Sequence, residues 1–195
     1  MYDYFQGAIT YLSPTQITVD CQGVGYRLDI SLYTFSAIKE LKQVKLYAHQ
    51  VIREDAHLLF GFFDEDERFM FRELLNVSGV GASTSRIILS SMNPHELRQV
   101  IAVGDIATLQ RVKGIGAKTA QRIVVDLQDR MKKGITSPGV ATTGVHNTSV
   151  SEALSALLTL GFARPPAEKA LLQAQKNLGA SPSVEELIKI ALSYL

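Results

Sequence analysis

Val77-Ser78-Gly79-Val80-Gly81-Ala82-Ser83-Thr84 returns thirty-five residues later as Val112-Lys113-Gly114-Ile115-Gly116-Ala117-Lys118-Thr119. Both copies read as an apolar residue, a spacer, Gly-apolar-Gly and the start of a helix. A motif that repeats within one chain demands two coincidences if it is to mean nothing. Glycine permits sharp turns and close approach by a ligand, because it has no Cβ. The apolar middle residue can plug each turn into a core. The helix that follows opens with amides that lack intrahelical partners, and its dipole favours an anion there. Each copy therefore predicts helix, tight hairpin, helix and one phosphate seat. The first seat is assigned to Gly79, Val80, Gly81, Ser83 and Thr84. The second is assigned to Gly114, Ile115, Gly116, Lys118, Thr119 and Arg122.

The charges around the two copies are unequal. Lys113, Lys118 and Arg122 surround the second, with Arg122 one helical turn after Lys118 on the same face. The first offers only the hydroxyls of Ser83, Thr84 and Ser85, with Arg86 as its nearest cation along the chain. Amides and cations hold a phosphate without reading a base. Gly114 to Thr119 also brushes against a Walker A loop. It fails, because Ala117 stands where a glycine is needed and no upstream glycine has the right spacing, so no nucleotide hydrolysis is expected.

Upstream of the repeat, short alternating runs predict strands at Tyr4 to Thr10, Ile17 to Cys21, Tyr26 to Ile30, Val44 to Val51 and Leu58 to Phe63. Ser31 caps a short helix up to Lys39. Five strands with one interposed helix suggest an OB-fold β-barrel over 1–63; an SH3-like barrel has a similar strand count. From Asp64 the pattern turns helical, with Asp64 to Glu67 placing acids in a first turn. Asn93-Pro94 with Glu96 forms a box-like helix start. The helices and both hairpins make an all-α unit over 64–133. Residues 134–148, rich in Gly, Thr, Ser and Pro, read as a flexible linker. A thin three-helix bundle follows over 149–195, its last helix opened by Ser183 and Glu186.

Composition narrows the classes. Of 195 residues 46% are hydrophobic, and the net charge is +1, so any nucleic-acid surface must be a local patch. The single cysteine, Cys21, excludes an internal disulfide framework and fits a reducing compartment. With no signal-peptide pattern and no run near the roughly 20 apolar residues of a membrane span, a soluble, cytoplasmic protein is expected. Catalytic signals are thin. His49, His57, His95 and His146 show no metal spacing, so no metal or cofactor is expected. Asp64 to Glu67 or Asp126 could serve a hairpin-containing nuclease or glycosylase. A third reading is an interaction adaptor whose hairpins are purely structural. Arg53-Glu54-Asp55, between the fourth and fifth strands, is either an ordinary polar turn or an acidic pin that repels phosphates.

The order of parts resembles the RuvA family. It rests on Val51-Ile52-Arg53-Glu54-Asp55, Leu59-Phe60-Gly61-Phe62 and the hairpin from Gly114 to Arg122, and it extends over essentially the whole chain. The resemblance implies a DNA-binding subunit that holds four-way Holliday junctions open in recombination and in the repair of damaged DNA. It implies a homotetramer, sometimes stacked as an octamer, with Glu54 and Asp55 as acidic pins at the crossover. It implies a tail that contacts the hexameric ATPase RuvB, with Leu157, Leu160, Phe162 and Leu192 as candidate contacts, and a connection to the resolvase RuvC. ATP and Mg²⁺ would belong to RuvB. Ser83 and Ala117 stand where the family often carries lysine, which implies a weaker charge at both seats.

Overall fold

The computed structural model describes residues 1–135, 145–178 and 182–195. Five strands, β1 (Tyr4–Ser13), β2 (Gln16–Cys21), β3 (Val24–Ile30), β4 (Gln43–Ile52) and β5 (His57–Phe62), close into a barrel in the order β1-β2-β3-β5-β4. All neighbours are antiparallel except β3 and β5, which pair in parallel through Asp29 with Phe60 and Ile30 with Gly61. Helix α1 (Leu32–Ile38) lies between β3 and β4, capped by Ser31 as its sequence indicates. This is a five-stranded barrel of the OB type rather than an SH3-like one. Its core is Phe5, Ile17, Val19, Leu28, Ile30, Ile38, Val44, Leu46 and Ala48. β1 runs three residues further than its alternation suggests, because Ser13 still pairs with Gln16 across the turn to β2. β1 and β2 approach so closely at Gly7 that a Cβ there would lie 1.8 Å from the Asp20 carbonyl oxygen.

Five helices follow in the same body: α2 (Glu65–Leu75), α3 (Ala82–Ser91), α4 (Pro94–Val103), α5 (Ile106–Gln110) and α6 (Ala117–Ile135) carry both hairpins, and α1 packs on α3. Their core takes in Phe60 and Phe62 of β5 along with Met70, Phe71, Leu74, Ile88, Leu97, Ile101, Ile123 and Leu127. The last barrel strand thus serves two cores.

Polar ties reinforce that joint. Glu67 of α2 is fully buried and accepts hydrogen bonds from Ser31 Oγ, from Thr34 Oγ1 at 2.5 Å and from the Phe63 amide at 3.2 Å. Burial pushes its carboxyl up to about 7, and nearby Asp64 adds to the rise while the three donors oppose it. Arg68 donates to the Asp3 carboxylate at 2.6 Å and stacks under the Tyr47 ring.

Chain contacts divide the protein into Met1–Ser137 and Pro138–Leu195. The second unit holds α7 (Val145–Thr159), α8 (Arg164–Leu178) and α9 (Val184–Leu192). Ala153, Leu157, Ala167, Ala170, Leu171, Ala174, Leu187 and Ala191 form its core, where alanine lets the helices approach closely but leaves little apolar bulk. Of the expected linker over 134–148, residues 136–144 lie outside the described residues, while α6 reaches Ile135 and α7 begins at Val145. Among the described residues no helix is long and apolar enough to cross a membrane.

Candidate nucleic-acid interface

The two hairpins have the same hydrogen-bond pattern, residue for residue. Asn76 donates to Glu73, Val77 to Leu74 and Val80 to Val77; Arg111 donates to Thr108, Val112 to Leu109 and Ile115 to Val112, all at 3.0–3.2 Å. Gly79 and Gly114 turn the chain at φ +88° and +89°, a region that side chains disfavour. Val77, Val80, Val112 and Ile115 are buried. The first helical bonds beyond the turns run from Ser85 to Gly81 and from Ala120 to Gly116.

This pattern corrects two assigned contacts. Val80 and Ile115 bury their side chains and give their amides to Val77 and Val112 at 3.0 Å, so neither group is left for a phosphate. The amides without a helical acceptor are those of Ala82, Ser83 and Thr84 in α3, and of Ala117, Lys118 and Thr119 in α6. Among the described helix starts, Ser31, Asp64, Asn93, Asp105 and Ser183 each give a side-chain oxygen to a first-turn amide, whereas Gly81 gives none. Gly81, Gly114 and Gly116 are exposed, and a Cβ on any of them would meet nothing within 4 Å. The space before both helix starts is open, as an incoming oxyanion requires.

The cations are placed differently from their order in the chain. Lys113 and Lys118 are exposed beside the second hairpin. Arg86 does not serve the first hairpin. It turns back to the barrel, donating to the Thr15 carbonyl at 3.0 Å and lying 3.5 Å from the Asp29 carboxylate. Arg122, assigned to the second seat, reaches the first: its Nη1 stands 3.4 Å from the Ser78 carbonyl oxygen and 3.5 Å from Ser78 Oγ. Sequence order could not reveal either contact, because each partner lies more than forty residues away.

Glu54 and Asp55 are exposed at the tip joining β4 and β5, which is closed by hydrogen bonds between Arg53 and Ala56 at 2.8 and 3.4 Å. The acidic run of α2 has structural partners throughout. Asp64 caps the Glu67 amide, Glu65 lies 3.7 Å from Arg68, Asp66 lies 3.0 Å from Arg98, and Glu67 is the buried joint. His49 packs edge-on against Phe71, and burial holds its pKa down. A cleft of about 410 Å³ beside the second hairpin is lined by Met92, Val100 and Val112, and its one carboxylate, Glu96, is engaged in the Asn93 capping box.

In the tail, Leu157 is fully buried and Phe162 partly so; Leu157 belongs to the core of the bundle and Phe162 packs against that core. Leu160 and Leu192 are exposed, at 62% and 43%. Leu172, at 59%, and Tyr194 join them as apolar surface, which helical periodicity does not reveal, since it does not say which edge of a wide stripe a neighbour covers.

Family models match three segments: the RuvA N terminal domain over residues 1–61, a SAM-like helix-hairpin-helix tandem over 71–129, and the RuvA C-terminal domain over 148–195. The chain is 46% identical to the Holliday junction branch migration complex subunit RuvA of Cytophaga hutchinsonii, across 98% of both chains. It is 44% identical to the protein of that name from Christiangramia forsetii and 46% identical to that from Bacteroides thetaiotaomicron, across the full length of each.

Proposed function

The chain belongs to the RuvA family, and on that premise we propose that it is the non-catalytic subunit that grips four-way Holliday junctions and recruits the RuvB ATPase for branch migration. The observation that carries this reading is the pair of matching hairpins, each followed by a helix whose first amides are open to an outside acceptor. Such amides take phosphate oxygens and ignore base edges, so the grip reads backbone placement. Gly79, Gly81, Ser83 and Thr84 supply the first seat; Gly114, Gly116, Lys118 and Thr119 supply the second. Glu54 and Asp55 put negative charge on an exposed tip, where it repels phosphates and helps keep the arms apart.

The remaining roles follow the same division of the chain. The barrel over 1–63 is the oligomerisation body of a homotetramer or octamer, and 64–133 is the DNA grip. Residues 134–148 tether the three-helix unit over 149–195, whose exposed Leu160 and Leu192 meet RuvB. RuvC acts on the same junction, in the cytoplasm. ATP turnover belongs to RuvB, and this chain needs no cofactor of its own. Several weak seats held in one assembly multiply their affinities, which makes junction geometry the source of specificity.

The test is a titration of the full-length chain with a labelled four-way junction and with linear duplex of the same sequence. The junction should bind about a hundredfold more tightly. Equal affinity overturns the reading. Incubation with Mg²⁺ should leave the junction intact; strand cleavage would favour the nuclease alternative. Leu160→Ser with Leu192→Ser should abolish co-sedimentation with RuvB while junction affinity stays unchanged.

A further inference from the structure

Two observations on the first hairpin do not fit a self-sufficient seat. Its own following helix supplies no cation, since Arg86 is turned to Thr15 and Asp29 of the barrel. Yet a guanidinium stands at its edge, carried by α6. Arg122 Nη1 lies within 3.5 Å of both Ser78 oxygens and 3.8 Å from where a Cβ on Gly79 would stand. These contacts are long, and a guanidinium has five N–H donors in a fixed fork, so most of its donor capacity is uncommitted. Arg122 is also exposed, as an ion-pairing partner for an incoming phosphate must be.

Resting on the proposed junction-binding function, we infer that Arg122 is the cation of the first phosphate seat, supplied across the repeat by the helix that the second hairpin opens. The two seats are then a coupled pair. Lys118 charges the second seat. Arg122, one turn further along the same helix, charges the first and fixes its distance from the second. Ser83 occupies in the first copy the position that Lys118 occupies in the second, so the missing local charge and the charge that crosses over are two sides of one arrangement.

Rescue tests this on the full-length chain, titrated with a fluorescent four-way DNA junction at low salt. Arg122→Ala should weaken binding by about tenfold. Adding Ser83→Lys should restore affinity to within about threefold of the wild type, because it places a cation at the seat that lost one. Adding Ala117→Lys instead returns the same charge to the other hairpin and should leave binding weak. All three positions are exposed, so the melting temperature should hardly move, and that measurement separates lost contacts from lost folding. The inference is overturned by an unaffected Arg122→Ala variant, by failure of Ser83→Lys to rescue, or by equal rescue from Ala117→Lys. A wild-type chain without junction preference instead sinks the functional reading on which the inference rests.

Discussion

The first hairpin and the second share one backbone but not one environment. The first is wired to the barrel: α2 enters it carrying Glu67 and Arg68, and α3 leaves it carrying Arg86, and all three side chains end on barrel-side partners. Among the described residues the second shows no ion pair or side-chain hydrogen bond to the barrel, and exposes Lys113 and Lys118 instead. A duplicated motif has thus divided its labour. One copy is held in position relative to the barrel and its acidic tip; the other carries the charge. The lesson is that local sequence similarity fixes the shape of a binding loop, while long-range side chains decide how strongly it is held and how strongly it attracts.

The largest expected effect probes the anchored side. Glu67 has a folded pKa raised from 4.5 to about 7, so the folded chain keeps its proton at pH values where the unfolded chain has lost it. Stability should therefore fall as pH rises from about 4.5 through 7, by up to about 3 kcal/mol, and then level off. Glu67→Gln should flatten that slope in denaturant melts taken across the range. A slope that survives the substitution would mean that the anchor titrates elsewhere.

On the charged side, Lys118→Ala with Arg122→Ala should weaken junction binding by about thirtyfold, near 2 kcal/mol, and make log affinity less steep in log salt. Sequence preference should not change, because contacts to phosphates carry no base information. Unchanged affinity in a low-salt titration would remove the clamp from both hairpins. The smallest effect tests whether the backbones are equivalent. Gly79→Ala and Gly114→Ala each force a Cβ into a positive-φ turn, and each should lower stability by about 1 kcal/mol. The two costs should agree to within about 0.5 kcal/mol in urea unfolding; a wider gap would show that the turns are not interchangeable.

Local signals made much of this legible in the sequence. Strand alternation located all five barrel strands, and Ser31, Asn93 with Glu96, and Ser183 with Glu186 announced helix starts that the structure contains. The repeated Gly-apolar-Gly marked both turns. The errors share one physical origin. Spacing along a helix reports which residues share a face, but not what that face meets. Hence Arg86 reads as a cation for the hairpin beside it although the barrel holds it, and the spacing that sets Arg122 beside the second hairpin does not show that its guanidinium also lies near Ser78 of the first. Leu157 reads both as core and as a candidate partner contact, and its full burial places it in the core. Val80 and Ile115 read as phosphate contacts for a subtler reason. A tight turn needs an internal hydrogen bond, and the residue between the glycines is the one that makes it.

The bare start of α3 has a consequence for how the free protein and its bound form differ. Helices α1, α2, α4, α5 and α9 complete their first turns with side-chain oxygens of their own, whereas this one leaves that task to whatever arrives. A phosphate seated there would act as the absent N-cap, so docking and the last increment of helix formation become a single event. The amide protons of Ala82, Ser83 and Thr84 would exchange quickly with solvent in the isolated chain and slow sharply in the complex, making the opening turn of α3 a built-in reporter of occupancy.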